Sequence, residues 1–265
     1  MKNHHYRVVI SYNGSNYCGW QDLGDEEDKA TVQGTITQAL RKICKYAGCS
    51  VSGASRTDAG VHAQGQVAKL SIPLEITAGK LLLGLNSLLP KDIRIWQCAE
   101  CPADFNPNRQ SISKKYRYYF STDRISSPIL HEIVAHVPSE IEGAKSESKL
   151  DLGKMRQVCR LFVGEHDFYS FSSKDKNIDS TVRTICQLQI KSTDAIGLDA
   201  DVYYFEIEGN GFLRHMIRYI VGAIFKVGRN VIDSEDIRQA LCNRNEQKFS
   251  PKAKARGLHL IEITY

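Results

Sequence analysis

Strand and helix patterns alternate through both halves of this sequence, which predicts an α/β or α+β protein with two packed layers in each half. The 265 residues allow one large domain or two moderate ones, and either can bury a substantial core. Hydrophobic residues make up 42% and charged residues 25%, as expected for a folded globular protein rather than a disordered one. The sequence shows no internal repeat, low-complexity tract or heptad run.

The first half combines four strand patterns with two helices. Alternating or β-rich runs predict strands at 6–12, 51–54, 66–72 and 92–98. A helix is predicted at 31–46, where Thr31 can cap the first turn and apolar residues recur with helical spacing. A second helix is predicted at 76–89, with leucines along one side.

The second half opens with a tyrosine-rich strand at 114–120. Because side chains alternate across a strand, this strand has two different faces. The residues of the two faces are Tyr116, Tyr118 and Phe120 on one, and Lys115, Arg117 and Tyr119 on the other.

The remaining elements of the second half follow a polar stretch at 139–151, which we interpret as a linker or surface excursion near the domain junction. Asp233 precedes a short helix. The other predicted elements are helices at 153–163 and 212–227 and strands at 181–192, 202–208 and 259–264. The 212–227 helix is apolar but interrupted by basic residues, including Arg218.

Charge and cysteine content limit the kind of protein this is. Lys and Arg number 35 against 30 Asp and Glu, a net charge of +5 that permits a polyanionic partner without requiring one. The sequence begins without an apolar leader. We therefore expect a cytoplasmic protein in which the eight cysteines are free thiols. No apolar run reaches the roughly 18 residues of a membrane span.

Metal binding is not predicted. Cys98 and Cys101 form a single CxxC motif, and no second CxxC or closely spaced histidine pair completes a set of four zinc ligands.

The run from Ser55 to His62 is the strongest candidate for a site, because it places Asp58 on a loop at the end of a strand. A loop aspartate commonly serves in a turn. Here Arg56 can favour the ionised carboxylate, and Gly60 allows a backbone or ligand to approach closely. These residues alone leave a turn and a catalytic carboxylate both open.

Several motifs, in order along nearly the whole chain, resemble the TruA family of tRNA pseudouridine synthases. The signature loop is Arg56-Thr57-Asp58-Ala59-Gly60-Val61-His62-Ala63. The other matching segments are 12–21, 31–34, 115–118, 164–168, 212–222 and 257–258.

The resemblance implies an α+β fold of two α/β subdomains, each a mostly antiparallel sheet with helices packed on one face. The active-site cleft is expected between them. The implied subdomains are 1–105, carrying the Asp58 loop, and 106–265, carrying the Arg218 helix. The implied activity is isomerisation of uridine to pseudouridine at positions 38–40 of the tRNA anticodon stem-loop. A homodimer is also implied, and no cofactor is expected because the reaction adds and removes no atoms.

The resemblance also assigns roles to individual residues. Asp58 is the implied catalytic carboxylate, acting on a flipped-out nucleotide, and Arg218 is the candidate partner that keeps it ionised. Tyr116 is expected to stack on the target uracil, with Leu258 closing the other side and Arg56 supporting the nucleotide or its backbone. The candidates for contacts to the RNA backbone are Lys114, Lys115 and Arg214. His62 is given a structural or RNA-contact role.

Three alternatives remain to be weighed. A non-catalytic RNA-binding protein of the same fold could dispense with Asp58 and its arginine partner, and both are present. A hydrolase with paired carboxylates needs a second acidic residue near Asp58, and residues 55–67 contain none. A synthase of the same family with a different RNA target would share the pocket chemistry and differ only in its docking surfaces.

Overall fold

We describe the protein from a computed structural model that covers residues 3–22, 30–45, 48–139, 149–174, 178–194, 200–244 and 249–265. Its contacts divide the chain into two compact units. The first comprises Met1–Ile112 together with His259–Tyr265, and the second comprises Ser113–Leu258. Most of the predicted polar linker, residues 140–148, lies outside the described residues.

The first unit contains two helices and five strands within the described residues, counting the strand at the chain end that starts one residue before the unit. The helices are α1 (Val32–Ile43) and α2 (Ala78–Leu88). The strands are β1 (His4–Tyr12), β2 (Ser50–Gly53), β3 (His62–Ile72), β4 (Ile93–Glu100) and, from the end of the chain, β10 (Leu258–Thr264).

The sheet of the first unit is ordered β4–β1–β3–β10, with β2 also paired to β3. The pairs among β1 to β4 are antiparallel, whereas β10 runs parallel to β3, with His259 opposite His62. Alternate residues of β1, such as Val8 and Ile10, are fully buried, as are Ile36 of α1 and other apolar residues of both helices.

Local capping explains where α1 begins. The Thr31 hydroxyl accepts a hydrogen bond from the backbone N–H of Gly34 at 3.2 Å, which satisfies one of the first-turn donors. The predicted Thr31 cap is therefore confirmed.

The second unit contains three helices and five strands in the part of the chain that the structure describes. The helices are α3 (Leu152–Cys159), α4 (Met216–Gly228) and α5 (Ser234–Cys242). The strands are β5 (Ser113–Ser121), β6 (Ala135–His136), β7 (Gly164–Asp167), β8 (Val182–Ser192) and β9 (Val202–Gly209).

The sheet of the second unit runs β5–β9–β8–β7 through antiparallel pairs, and the short β6 adds a parallel pair to β5. Tyr116, Tyr118 and Phe120 are buried on one face of β5, as predicted from its alternation. The ring of Phe225 from α4 packs edge-on against Tyr118 and Phe120, at centroid distances of 6.2 and 5.1 Å. The predicted α+β class with mostly antiparallel strands is confirmed.

The helix predicted at 212–227 begins four residues later than expected. His215 adopts a left-handed backbone with φ 63°, which is rare for a non-glycine residue and incompatible with a continuing right-handed helix. Phe212 and Arg214 consequently lie in the irregular segment before α4. The sequence does not mark this boundary, because Arg214 and His215 interrupt the apolar pattern no more clearly than Arg218 does further along.

All eight cysteine thiols are free. No helix in the described ranges combines the length and the apolar character needed to cross a membrane.

Candidate active site

The Asp58 loop connects β2 to β3, and a buried glutamine fixes the point at which the loop leaves the strand ladder. Ala54 still donates a ladder hydrogen bond to the carbonyl of Val67 at 2.8 Å. At the next residue, Ser55, the backbone bonds to the side chain of Gln66. The Gln66 side chain accepts from the N–H of Ser55 at 3.2 Å and donates to the Ser55 carbonyl at 2.6 Å. Because Gln66 is fully buried, these bonds hold a backbone that would otherwise lack ladder partners.

Thr57 anchors the loop to the first strand and the segment that follows it. The Thr57 hydroxyl hydrogen-bonds with the Tyr12 hydroxyl at 2.7 Å, and both residues are buried. The Thr57 carbonyl accepts from the N–H of Trp20 at 3.0 Å. The residue directly before Asp58 is therefore held by both its backbone and its side chain.

Asp58 itself occupies a short turn. Its carbonyl accepts from the N–H of Val61 at 3.1 Å, and Gly60 has φ 75°, a left-handed conformation that favours glycine. Gly60 also donates to the carbonyl of Tyr17 at 3.3 Å. Asp58 is half-buried, whereas Arg56 is exposed. The backbone that carries the Asp58 carboxylate is therefore held in a defined turn, and the residue keeps some exposure.

Two glycines bring the segment 13–20 into direct contact with this loop. A Cβ atom at Gly19 would lie 2.7 Å from the Thr57 carbonyl oxygen, and one at Gly14 would lie 2.0 Å from that of Val61. Neither approach leaves room for a side chain. The structure thus joins two separately predicted motifs, at 12–21 and 56–63, into one assembly.

His62 lies inside the first unit. Its ring stacks on that of His259 with a centroid distance of 4.5 Å, and its Nδ1 accepts a hydrogen bond from the N–H of Gly14 at 3.1 Å. Both histidines are buried.

In the second unit, Tyr116 and the two lysines before it have different surroundings. Tyr116 is buried, and its ring meets the ring of Phe212 edge-on at 5.3 Å. Lys115 forms an ion pair with Glu208 at 3.7 Å. Lys114 is only 8% exposed, and burial lowers its pKa to about 8 from an ordinary 10.5.

Arg218 is tied to the segment that leads to Leu258. Its Nε donates to the carbonyl of Ala253 at 2.8 Å, and the Ala253 N–H donates back to the carbonyl of Arg218 at 3.0 Å. A Cβ at Gly222, one turn further along α4, would lie 2.0 Å from the Pro251 carbonyl oxygen, so this segment lies directly on the helix. A 3-10 turn at Ala255–Gly257 then leads into the buried Leu258.

The predicted site residues are therefore distributed over both units. Arg56 and Asp58 belong to the first unit. The second unit holds Lys114, Lys115, Tyr116, Arg214, Arg218 and Leu258. Arg214 is exposed, and its carbonyl accepts from the N–H of Ser173 at 3.0 Å.

Sequence reasoning missed three residues that shape the site: Gln66, Thr57 and Phe212. The sequence places Thr57 in the signature loop and Gln66 at the start of a predicted strand, and nothing local shows that they bond to Tyr12 and Ser55. Phe212 is the first residue of the predicted 212–227 helix, whereas the structure places it in the irregular segment before α4.

No cluster of three or more histidine, cysteine, aspartate or glutamate side chains suited to a metal ion occurs among the described residues. In the CxxC motif, burial raises the pKa of Cys98 to about 11.

Sequence comparison finds one matching family, described as tRNA pseudouridine synthase, over residues 8–108 and 158–265. The chain is 45% identical to tRNA pseudouridine synthase A 2 of Desulfotalea psychrophila over 262 residues, 98% of each chain. It is 36% identical to tRNA pseudouridine synthase A of Listeria welshimeri over 261 residues, again 98% of each. Among solved structures, the archaeal box H/ACA sRNP Nop10-Cbf5 complex aligns with a TM-score of 0.34 and 12% identity. That alignment covers 84% of this chain and 43% of that one, and so weak a likeness carries no argument.

Proposed function

Because this chain belongs to the tRNA pseudouridine synthase family, we propose that it converts uridine to pseudouridine at positions 38–40 of the tRNA anticodon stem-loop, using Asp58 as its essential carboxylate. The observation that carries the activity is the 45% identity to a tRNA pseudouridine synthase A along 98% of both chains. The assignment of Asp58 rests on the signature loop around it and on the fixed turn that presents its carboxylate.

The reaction breaks the N1–C1′ bond of uridine, turns the base and joins C1′ to C5. C5 loses its proton and N1 gains one, so the product is an isomer of uridine. An ionised carboxylate beside the sugar can act in two ways. It can attack C1′ as a nucleophile, or it can remove a ribose proton to give a glycal-like intermediate. In both routes the carboxylate must stay charged, and a guanidinium favours the charged form. We assign that partnership to Arg218.

The target base must leave the helical stack before it can react, which costs a few kcal/mol. Tyr116 is the proposed stacking partner for the extruded uracil, and Leu258 closes its other side. Arg56, exposed beside Asp58, supports the nucleotide. Contacts to RNA phosphates from Lys115 and Arg214 offset part of the cost of extrusion.

The proposal includes a cytoplasmic homodimer that binds one tRNA. Its protomers carry a net charge of +5, which favours association with a polyanion. Mass measurement in solution at micromolar concentration tests the dimer, and a monomer mass would contradict it.

The deciding experiment is tritium release from tRNA transcripts labelled at C5 of uridine. We expect release from the wild-type protein and none from Asp58→Asn, with tRNA binding retained. Asp104→Asn is the matched control, because Asp104 is an exposed carboxylate of the same unit. Failure of the wild-type protein to release tritium from any tRNA would refute the activity.

Target position is tested separately with transcripts that keep a single uridine each. Release confined to uridines at positions 38–40 supports the anticodon-arm assignment. Release only from uridines elsewhere would favour the alternative, a synthase of the same family with a different RNA target.

A further inference from the structure

Strand β5 carries two adjacent lysines near its start, Lys114 and Lys115, and their side chains have different surroundings. Lys115 lies on the face that carries Glu208, and its half-exposed side chain pairs with that carboxylate at 3.7 Å. Lys114 lies on the other face, opposite Gly209, and only 8% of it is exposed. Adjacent residues of the same type thus have different environments.

Lys114 shares its face of the strand with Tyr116. Residues two apart on a strand are separated by about 7 Å, a spacing that the flexible stem of a lysine can span. Gly209, the cross-strand neighbour of Lys114, has no side chain, and a Cβ there would lie 3.2 Å from the ring of Phe212. The same Phe212 ring meets Tyr116 edge-on. Lys114 therefore lies next to the ring pair of Tyr116 and Phe212, and Tyr116 is the residue proposed to stack on the base.

Burial changes the hydration of the Lys114 ammonium group. It lowers the pKa of Lys114, because the charged form loses part of its hydration there. A charge in such a site interacts more strongly with its neighbours, because little water screens it.

We propose that the Lys114 ammonium hydrogen-bonds to a carbonyl oxygen of the target uracil and stabilises the negative charge that the base acquires during the reaction. When the N1–C1′ bond breaks, its electron pair stays on the base and spreads from N1 to the carbonyl oxygens. The pair forms the new bond when C5 joins C1′. The C5 proton then leaves to water or a base, and N1 takes up a proton, so that the product base is neutral. A fixed cation in a site with little water is most effective where such charge develops. This inference rests on the proposed function.

The burial of Lys114 favours the base over an RNA phosphate as its target. A lysine that only neutralises phosphates acts as a solvated point charge and needs no burial. Lys115, half-exposed on the opposite face, suits that role. The two lysines therefore provide a matched comparison within one strand.

The experiment compares Lys114→Met, Lys114→Gln, Lys114→Arg and Lys115→Met in the full-length protein. Turnover is measured by tritium release from the same C5-labelled tRNA transcripts, and thermal unfolding is measured in parallel. For both neutral Lys114 variants we expect kcat to fall about 100-fold while KM stays within about threefold. Lys114→Met should keep a melting temperature close to that of the wild-type protein, so that the fall in kcat is not explained by a loss of folding. Lys114→Arg should regain at least part of the lost kcat.

Lys115→Met should behave differently from the Lys114 variants. We expect a higher KM and a weaker salt dependence of tRNA binding, with kcat retained. Unchanged kcat in both neutral Lys114 variants would overturn the inference, and a rise in KM alone would reassign Lys114 to a phosphate. A loss of activity that follows a lower melting temperature would also overturn it. Absence of tritium release from the wild-type protein refutes the proposed function instead, so the two failures are distinguishable.

Discussion

At the scale of single residues, the Asp58 carboxylate depends on neighbours that have no reactive groups of their own. Gly19 and Gly14 let the segment 13–20 lie against the loop, and Thr57 and Gln66 hold its backbone by hydrogen bonds. The catalytic role proposed for Asp58 requires a carboxylate held within a fraction of an ångström of its working geometry, and this framework constrains the loop that carries it. Substitutions in the framework should therefore affect turnover without removing any charged group.

Replacing Gly19 by alanine tests this framework. The residue has φ 103°, and the added Cβ would lie 2.7 Å from the Thr57 carbonyl oxygen, so both strain and overlap oppose the change. We expect a loss of about 1–3 kcal/mol in unfolding free energy and a lower kcat, with tRNA binding retained. Urea denaturation and tritium release measure the two effects.

Gly79→Ala is the control for that substitution, because a Cβ at this position of α2 meets no atom within 4 Å. It should be neutral or slightly stabilising, since alanine is the better helix former. If Gly19→Ala and Gly79→Ala had the same unfolding free energy and the same kcat, the Asp58 loop would not depend on Gly19.

At the scale of elements, a buried carboxylate connects three strands of the second unit. Glu206 on β9 is 6% exposed and accepts from Arg117 on β5 at 2.9 Å and from Lys191 on β8 at 2.7 Å. Burial by itself would raise the pKa of Glu206, but the hydrogen bonds from Lys191 and Arg117 outweigh it and the pKa is lowered. The network therefore fixes the register of β5, β9 and β8 through one ionised group.

Glu206→Gln removes that charge and leaves a single neutral acceptor oxygen where Arg117 and Lys191 both donate to a carboxylate. We expect a loss of about 1–3 kcal/mol in unfolding free energy at pH 7, discounted because both cations are partly exposed. A carboxylate with a lowered folded-state pKa contributes stability above its unfolded pKa and loses it as pH falls through the folded value. The difference in unfolding free energy between the wild-type protein and Glu206→Gln should therefore disappear as the pH falls below 4.5, the ordinary pKa of glutamate.

Urea denaturation at pH 7 and at pH 3 to 4 measures this difference. Glu208→Gln is the comparison on the same strand, because Glu208 pairs with a single lysine at 3.7 Å and is more exposed. Glu208→Gln should lower the unfolding free energy by less than Glu206→Gln does. If the difference in unfolding free energy between Glu206→Gln and the wild-type protein grew in acid, the folded-state pKa of Glu206 could not be lowered.

At the scale of the whole molecule, the end of the chain completes the first unit. Residues His259–Tyr265 are grouped with Met1–Ile112, and β10 pairs with β3 through His259 opposite His62 and Leu260 opposite Ala63. Leu260 is fully buried. The sheet behind the Asp58 loop thus includes a strand from nearly 200 positions further along the chain.

Leu260→Ala should lower the unfolding free energy by about 2–5 kcal/mol, because it removes a buried side chain and leaves a cavity. Thr264→Ala, at an exposed position of the same strand, should change it by no more than about 0.5 kcal/mol. Thermal or urea unfolding followed by circular dichroism measures both. Similar losses in the two variants would show that burial of Leu260 is not what stabilises the strand.

Sequence patterns alone determined most of the strands and helices, where Thr31 caps α1, which residues of β5 are buried, and that Asp58 lies on a loop. They did not predict the short strands β6 and β7. Each feature that they determined depends on neighbours a few residues away, through the period of the backbone, a capping side chain or a glycine. The family resemblance was likewise readable from motifs in order along the chain.

Only the tertiary structure decided the features that depend on distant partners. The left-handed His215 sets the start of α4 within a segment whose pattern predicts one longer helix. The parallel pairing of β10 with β3 brings the last strand into the first unit. Lys114 and Lys115 are the same residue type at adjacent positions, yet one is buried and the other is ion-paired. Burial and pairing are set by whatever packs against each face of a strand, and that is fixed by long-range contacts rather than by the local sequence.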